Sequence, residues 1–340
     1  MFVLTFEERA VVDNKISLND VFVARKRIAG KAINTPFRKS VWLSELTGAE
    51  VYLKLENLQV TGSFKYRGAL SALTRSKENA LSKIFTASAG NHGLAVAEAA
   101  VELGRDVTIC IPVNASAIKR QRLKDYSVAV IEHGDDCEVT ESYAQRMAKE
   151  KKAFYISPYN NREVIAGQGT VALEMFEQVP ELNKIICSVG GGGLVSGIGV
   201  VAQAVKPKTE VLGVVAANSP AMTSSINQGR IVKVMQEPTI ADGIAGNIEP
   251  DSITFPMCQE LVSDWAVVED EDIKTAIFEF LDNEGMLIEG ASAAAIAAVL
   301  RKQVQIKPKE TVGIVVCGGN ISKNEWREIV VEHLVSKTRK

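Results

Sequence analysis

One lysine in the sequence lies in a segment that suits covalent chemistry. Lys65 stands in the segment TGSFKYRG, residues 61–68, between small residues and the aromatic Phe64. Such neighbours can hold a lysine against a flat ligand and remove part of its water, which lowers the pKa of the amine and makes it nucleophilic. Schiff-base formation requires an amine of that kind. Taken alone, the segment also fits a solvated lysine in a glycine-bracketed turn, which is the commoner case.

A second segment could bind a carboxylate. Ser88, Ala89, Gly90, Asn91 and His92 follow the apolar run at 84–87 and open a helix predicted to begin near residue 94. Small residues at a helix N-terminus leave backbone N–H groups unpaired at the positive end of the helix dipole. Asn91 could also donate to a ring oxygen of a cofactor. The alternative is simple N-capping by Ser88 or Asn91.

Four consecutive glycines, Gly190, Gly191, Gly192 and Gly193, separate a strand at 184–189 from a helix predicted to start at Leu194. Such a run costs conformational entropy, so the backbone must come close to something. A phosphate held by N–H groups at the helix N-terminus explains the run best. A dinucleotide site would need an acidic residue at the end of the next strand, and 211–217 has none. A purely structural turn is the other alternative.

Three further signals are weaker. Cys317 follows an apolar strand and precedes Gly318, Gly319 and Asn320; ligands of doubly wound sheets sit at the carboxyl ends of strands. Its thiol could meet a ring nitrogen, or it could be a buried inert thiol. Glu289, before an alanine-rich helix, and Asp242, before a glycine, fit a cap or a turn equally well.

The elements that would position these residues alternate between strand and helix. Apolar β-branched runs predict buried strands at Val107–Val113, Val128–Glu132, Phe154–Ser157, Ile185–Val189, Val211–Ala216, Trp265–Val268 and Val312–Val316. Helices are predicted between them at Ala95–Gly104, Glu138–Lys152, Val164–Glu177, Asp270–Asn283 and Ala291–Gln303. This alternation predicts an α/β fold with mostly parallel sheets flanked by helices.

Composition excludes several classes of protein. A hydrophobic fraction of 46%, a formal charge of −2 and a pI near 6.1 give no basic field for nucleic acid or an anionic membrane. The five cysteines are scattered and the three histidines have no ligand spacing, which argues against disulfides and zinc. The N-terminal segment lacks the pattern of a signal peptide, and no apolar run reaches the roughly 20 residues of a membrane span. We expect a cytoplasmic protein.

In their order along the chain, these motifs resemble the threonine/serine dehydratase family, which includes the serine racemases. The resemblance rests on the lysine segment, the asparagine loop, the AGQGT segment at 166–170, the four glycines, the ADG segment at 241–243 and the final Cys-Gly-Gly-Asn. It implies the tryptophan-synthase-like fold of pyridoxal-phosphate enzymes. It also implies a discontinuous large cofactor-binding domain (1–78 and 159–340), a small mobile domain that closes on the substrate (79–158), and a homodimer or homotetramer.

The resemblance also implies roles for individual residues. Lys65 would form the Schiff base with pyridoxal 5'-phosphate and act as the catalytic base, with Phe64 beside the ring. Asn91 would bind the ring hydroxyl, Cys317 would face the ring nitrogen, and residues Gly190–Gly193 with Leu194 would hold the phosphate. Ser88, Ala89, Gly90, Asn91 and His92 would hold the substrate carboxylate.

Two departures from the family's racemases narrow the implied function. Ala89 stands where serine racemases carry a second serine that acts as acid and base on the opposite ring face, so racemisation is disfavoured. The stretch at 215–222 has no carboxylate where racemases bind a divalent cation, so we predict no metal there.

The implied reaction removes the β-hydroxyl of a small amino-acid substrate such as L-threonine or L-serine, giving a 2-oxo acid and ammonia. The alternatives are a serine racemase, a 3-hydroxyaspartate dehydratase, a nucleotide-binding oxidoreductase and a non-catalytic binding protein. No obvious basic residue is committed to a second substrate carboxylate, although a distant arginine such as Arg162 could reach one.

Overall fold

The computed structural model describes residues 15–78 and 83–338, which form two β-sheets with helices packed on their faces. Two sequence predictions fall at least partly outside these residues. They are the interpretation of the N-terminal segment, of which residues 1–14 are not described, and the domain boundary between residues 78 and 79.

The larger sheet has six strands. They are β1 Phe37–Lys39, β2 Glu50–Leu55, β7 Lys184–Ser188, β8 Glu210–Ala216, β9 Asp264–Val268 and β10 Thr311–Val316. Their order across the sheet is β1-β2-β10-β7-β8-β9; only the pairing of β1 with β2 is antiparallel. Strands β7 and β10 are buried along their whole length, as expected for parallel strands covered by helices on both faces.

The smaller sheet has four strands. They are β3 Lys83–Ala87, β4 Asp106–Ile111, β5 Ala129–Glu132 and β6 Phe154–Tyr155, in the order β5-β4-β3-β6. All of its pairings are parallel. Buried apolar residues form three clusters, the largest around the six-stranded sheet and two smaller ones around the four-stranded sheet.

Helices cover the faces of both sheets. They are α1 Leu18–Ile28, α2 Val41–Thr47, α3 Lys65–Glu78, α4 Asn91–Leu103, α5 Ala117–Lys124, α6 Cys137–Glu150, α7 Arg162–Gln178, α8 Gly193–Val205, α9 Ala221–Gln228, α10 Thr254–Leu261, α11 Asp270–Glu284, α12 Gly290–Leu300 and α13 Lys323–Thr338. Local side chains fix several helix starts: the Asp136 carboxylate accepts from Val139 N (2.8 Å) at α6, and Asn161 Oδ1 accepts from Glu163 N (2.9 Å) at α7. No helix in the described parts of the chain is long and apolar enough to cross a membrane.

The predicted α/β architecture with mostly parallel sheets is confirmed, and the boundaries shift by a few residues. The helix expected near residue 94 begins at Asn91, and the strand expected over Phe154–Ser157 is only two residues long. The sequence did not predict β1 or β2. Strand β2 escapes the apolar pattern because it contains Lys54, a fully buried lysine whose Nζ donates to Thr35 O (2.7 Å) and Glu174 Oε2 (2.5 Å).

Candidate functional site

The carboxyl ends of strands from both sheets meet at one cavity. The glycine loop follows β7, Cys317 follows β10, and the loop that opens α4 at Asn91 follows β3. In parallel sheets this edge is where ligands bind. The cavity is lined by Phe64, Lys65, Asn91, Tyr159, Ser188, Val189, Gly190, Gly191, Gly192, Gly193, Leu194, Val195, Gly243, Ile244, Glu289, Ala291 and Cys317. The structure therefore brings together residues from distant parts of the sequence.

Lys65 is the first residue of α3 and is partly buried at this cavity. The preceding residue is tied to strand β10, because Phe64 N donates to Cys317 O (3.0 Å). The lysine Nζ donates to Pro158 O at 3.0 Å and lies 5.2 Å from the centre of the Phe64 ring. Loss of solvent lowers the pKa of Lys65 to about 8, against smaller opposing effects of nearby acidic groups. An appreciable fraction of the amine is therefore neutral near neutral pH.

A buried charge network holds the helix on which Lys65 stands. Arg67 is fully buried and donates to both oxygens of Glu56 (2.8 Å each) and to both oxygens of Glu174 (2.6 and 2.8 Å). Glu174 also accepts from Lys54 of β2, so two positive and two negative side chains balance each other. Because a buried charge is stable only when it is paired and hydrogen-bonded, this network fixes the first turn of α3 against α7 and β2.

The four glycines form a turn that leaves no room for side chains. A Cβ at Gly191 would lie 2.4 Å from ring atoms of Tyr159, and one at Gly190 would lie 2.9 Å from the backbone of Ile244. Gly192 has a φ of +85° and is the N-cap of α8. The first N–H groups of α8 therefore point into the loop without intrahelical partners. Ser188 adds a buried hydroxyl that has no hydrogen-bond partner in the described chain.

Cys317 lies at the opposite wall of the cavity and is almost fully buried. Its Sγ is 3.3 Å from the Ser292 hydroxyl, which donates to Gly318 O (2.6 Å) and accepts from Gly318 N (2.7 Å). Burial raises the pKa of the Cys317 thiol to about 12, so it stays neutral at physiological pH. Ser292 is a residue of this site that the sequence analysis did not identify.

Asn91 is held by two partners from the C-terminal part of the chain. Its Nδ2 lies 2.8 and 3.0 Å from the two carboxylate oxygens of Glu289, and its Oδ1 accepts from Asn320 Nδ2 (2.7 Å). Asn320 N also donates to Glu289 Oε2 (3.1 Å). These bonds fix which end of the Asn91 amide carries the oxygen. Burial raises the pKa of Glu289 to about 7, and the bond from Asn91 opposes that rise.

The other residues of the asparagine loop present mainly backbone to the cavity side. Gly90 is the N-cap of α4, and its N donates to Ser88 Oγ at 3.2 Å. The His92 ring is buried, with Nε2 3.0 Å from Thr86 Oγ1. Because Thr86 Oγ1 donates to Ile156 O (2.7 Å), it accepts from His92, and His92 Nδ1 is left without a partner in the described chain. Burial and the charge of Lys65 lower the pKa of His92 to about 3. His92 is therefore a neutral buried side chain.

The structure thus brings Lys65, Phe64, Asn91, the four glycines, Leu194 and Cys317 to one cavity, with Ser88, Ala89, Gly90 and His92 at the adjoining helix start. It adds Tyr159, which no sequence motif indicates. Glu289 and Asn320, which the sequence indicates only weakly, are direct hydrogen-bond partners of Asn91. Among the described residues, no three His, Cys, Asp or Glu side chains form a group that could hold a metal ion. The predicted absence of a metal remains a prediction.

Comparisons with known proteins agree with this geometry. The profile of the family described as "Pyridoxal-phosphate dependent enzyme" matches residues 28–318. An L-threonine ammonia-lyase of Thermotoga maritima is 38% identical over 326 residues, 96% of this chain and 80% of the relative. A catabolic L-threonine dehydratase of Escherichia coli K12 is 34% identical, covering 93% of this chain and 97% of the relative.

Among solved structures, maize serine racemase matches with a TM-score of 0.86 and 32% identity, covering 95% of this chain and 99% of that one. The predicted tryptophan-synthase-like fold and its cofactor, pyridoxal phosphate, are thereby confirmed. The chain belongs to the family of pyridoxal-phosphate-dependent enzymes.

Proposed function

We propose that this enzyme removes the β-hydroxyl of L-threonine or L-serine and releases a 2-oxo acid and ammonia. The observation that carries the proposal is Lys65, whose partly desolvated amine lies in one cavity with the glycine loop and Cys317. The names of the two curated relatives, an L-threonine ammonia-lyase and an L-threonine dehydratase, support the substrate class.

The residues present fit pyridoxal phosphate. The glycine loop and the start of α8 offer free N–H groups for a phosphate, and the Ser188 hydroxyl, which has no partner in the described chain, lies beside them. Side chains on the glycines would collide with Tyr159 and Ile244, so the loop can keep this shape only with glycine. We assign the phosphate to Gly190–Gly193 and Leu194. We assign the ring face to Phe64, the ring nitrogen to Cys317, and the ring hydroxyl to Asn91.

Bound pyridoxal phosphate supplies a conjugated ring that accepts the electron pair left when the Cα proton departs. Lys65 Nζ would hold that group and would serve as the base that takes the Cα proton. A pKa near 8 suits this role because both the neutral and the protonated amine are accessible near neutral pH. The neutral Cys317 thiol leaves the ring nitrogen without a charged partner, which favours prompt elimination.

The substrate carboxylate is assigned to the start of α4, at Ser88, Ala89, Gly90, Asn91 and His92. The buried His92 ring leaves backbone N–H groups and the Ser88 hydroxyl as the contacts there. Serine racemisation is the second candidate because of the likeness to maize serine racemase. Ala89 opposes it, since its methyl group has no proton to exchange on the second face of the substrate.

We also propose the arrangement in which the reaction takes place. Residues 79–158, which contain the four-stranded sheet, are proposed to be a small domain that closes over the substrate against the large domain of 1–78 and 159–340. We propose a cytoplasmic homodimer or homotetramer, which has a small amino acid as its partner and binds no nucleic acid or membrane.

The test begins with visible absorption spectra of the purified wild type and of Lys65→Ala, both supplied with pyridoxal phosphate. L-threonine and L-serine are then added, and 2-oxo acid, ammonia and D-serine are measured. We expect a visible Schiff-base band and 2-oxo acid release in the wild type, both lost in Lys65→Ala. Lys208→Ala, at an exposed lysine, is the matched control and should behave as wild type.

A wild type that binds the cofactor but releases no 2-oxo acid from either substrate would refute the proposed reaction. D-serine formed from L-serine as fast as pyruvate would favour the racemase and refute the argument from Ala89. Reduced activity with an unchanged band in Lys65→Ala would refute the assignment of the lysine.

A further inference from the structure

One face of helix α6 forms a polar wall near Lys65, since the charges of Glu141 on that face and of Lys65 act on one another. Glu138, Glu141 and Gln145 lie on that face because they are spaced at i, i+3 and i+7. The outer two reach residues that follow the six-stranded sheet: Glu138 pairs with Lys233, and Gln145 Nε2 is 3.4 Å from Glu249 Oε2. Glu141 stands between them, and its carboxyl has no hydrogen bond or ion pair within the described chain.

A second carboxyl, that of Glu249, lies beside this wall. Only neutral groups donate to it: Ser157 Oγ at 2.6 Å, Asn160 Nδ2 at 3.0 Å and, more distantly, Gln145. Ser157 immediately precedes Pro158, whose carbonyl accepts from Lys65 Nζ. Glu249 therefore lies next to the segment that contacts the reactive lysine, and no cation among the described residues forms an ion pair with it.

The two carboxyls and Lys65 act on one another electrostatically. Burial, and after it the negative charge of Glu249, raises the pKa of Glu141 to about 8, while Lys65 opposes the rise. Glu141 therefore holds its proton more tightly than an ordinary carboxyl does, next to the negative charge of Glu249. Lys65 is the cation that opposes the rise in the pKa of Glu141, and the proposed reaction engages its amine.

Arg162 does not offset this charge. Arg162, the arginine considered for a second substrate carboxylate, has Nη2 3.8 Å from Asp20 Oδ2 and 3.4 Å from Lys15 O. The Arg162 guanidinium therefore contacts residues at the start of the described chain.

We infer that Glu141 and Glu249 restrict the substrate to amino acids whose side chains carry no negative charge, and so select threonine and serine against 3-hydroxyaspartate. The inference rests on the proposed function. A hydroxyl can donate to a carboxylate, whereas a second substrate carboxylate would meet a like charge. For charges roughly 6 Å apart at an effective dielectric constant of about 20, Coulomb repulsion corresponds to about a hundredfold discrimination.

The experiment uses the holoenzyme and compares kcat/KM for L-threonine with kcat/KM for 3-hydroxyaspartate. Either single variant, Glu141→Gln or Glu249→Gln, leaves one of the two carboxyls in place, so the ratio should change by less than about threefold. The double variant removes the charge, and the ratio should fall by about tenfold or more. Glu132→Gln/Glu150→Gln is the matched control. It removes two carboxylates at exposed residues near the four-stranded sheet, a change in charge at least as large, and should keep the wild-type ratio.

A measurement on the wild type keeps the inference testable if the double variant does not fold. L-aspartate and L-asparagine have nearly the same shape and differ in charge, so L-aspartate should inhibit L-threonine turnover about a hundredfold more weakly. Equal inhibition by the two, or a double variant with the wild-type ratio, would overturn the inference while the threonine reaction stands. Absence of 2-oxo acid from both L-threonine and L-serine would instead be a failure of the proposed function.

Discussion

Glu289→Gln is the substitution from which the most can be calculated. Glu289 is buried, and its pKa is raised from the ordinary 4.5 to about 7 because burial disfavours its charge. A carboxyl whose pKa is higher in the folded chain than in the unfolded chain holds its proton more tightly when folded. Stability from this group is therefore present below pH 4.5 and is lost as the pH rises through 7.

The magnitude follows from that difference in pKa. At about 1.36 kcal/mol per pH unit, the wild type should lose about 3 kcal/mol from this group across the whole interval. Between pH 5 and pH 8 the loss should be about 2–3 kcal/mol. Glutamine cannot ionise, so the variant should not show this loss. However, the amide N–H of the new glutamine would face the Asn320 N–H. This unfavourable contact should lower the free energy of unfolding of the variant by about 1–3 kcal/mol at every pH.

The assay is urea unfolding of the cofactor-free wild type and variant at fixed ionic strength between pH 5 and pH 8. The free energy of unfolding of the variant minus that of the wild type should increase by about 2–3 kcal/mol over this range. Glu150→Gln, at an exposed position, is the control and should give a difference that is constant to about 0.5 kcal/mol. A constant or falling difference for Glu289→Gln would refute the burial argument.

Glu289→Gln should also lower catalytic activity, although its stability relative to the wild type increases with pH. Glutamine presents one acceptor oxygen where glutamate presents two, so the Asn91 amide is no longer held in one orientation. Loss of one hydrogen bond of about 1–1.5 kcal/mol predicts a fall in kcat/KM of about tenfold. Wild-type kcat/KM in a folded variant would show that Glu289 does not position Asn91.

Two other substitutions test the glycine loop and the buried network. Gly191→Ala places a Cβ 2.4 Å from the Tyr159 ring, so the affinity for pyridoxal phosphate, measured by absorbance titration, should fall by at least about tenfold. An affinity within twofold of wild type would contradict the assignment of the phosphate to the glycine loop. Arg67→Met leaves the buried Glu56 carboxylate without its cation and Glu174 with Lys54 alone, and should cost about 3–5 kcal/mol in urea unfolding. Arg25→Met is the control: it removes a half-exposed ion pair and should lower the free energy of unfolding by only about 0–1 kcal/mol. Equal losses in Arg67→Met and Arg25→Met would show that burial does not make the Arg67 network more important.

Some features of this protein follow from the sequence alone. Buried strands β7, β8 and β10 were predicted because continuous β-branched runs have few other stable conformations. The four-glycine turn was predicted because such a run is costly unless backbone must approach a neighbour, and Tyr159 and Ile244 prove to be those neighbours. These signals are local, so they can be interpreted without knowledge of the fold.

Tertiary structure alone decided the contacts that tune the site. In the larger sheet β2 lies beside β10, which comes from the other end of the chain, and this order sets Asn320 beside the lysine segment. Asn91 meets Glu289 only because α4 and α12 begin at the same cleft. The burial of Lys54 and the closeness of Glu141 to Glu249 arise in the same way. Charged side chains look solvent-exposed in a sequence, because their pairing and burial depend on partners that only the packing of distant elements supplies.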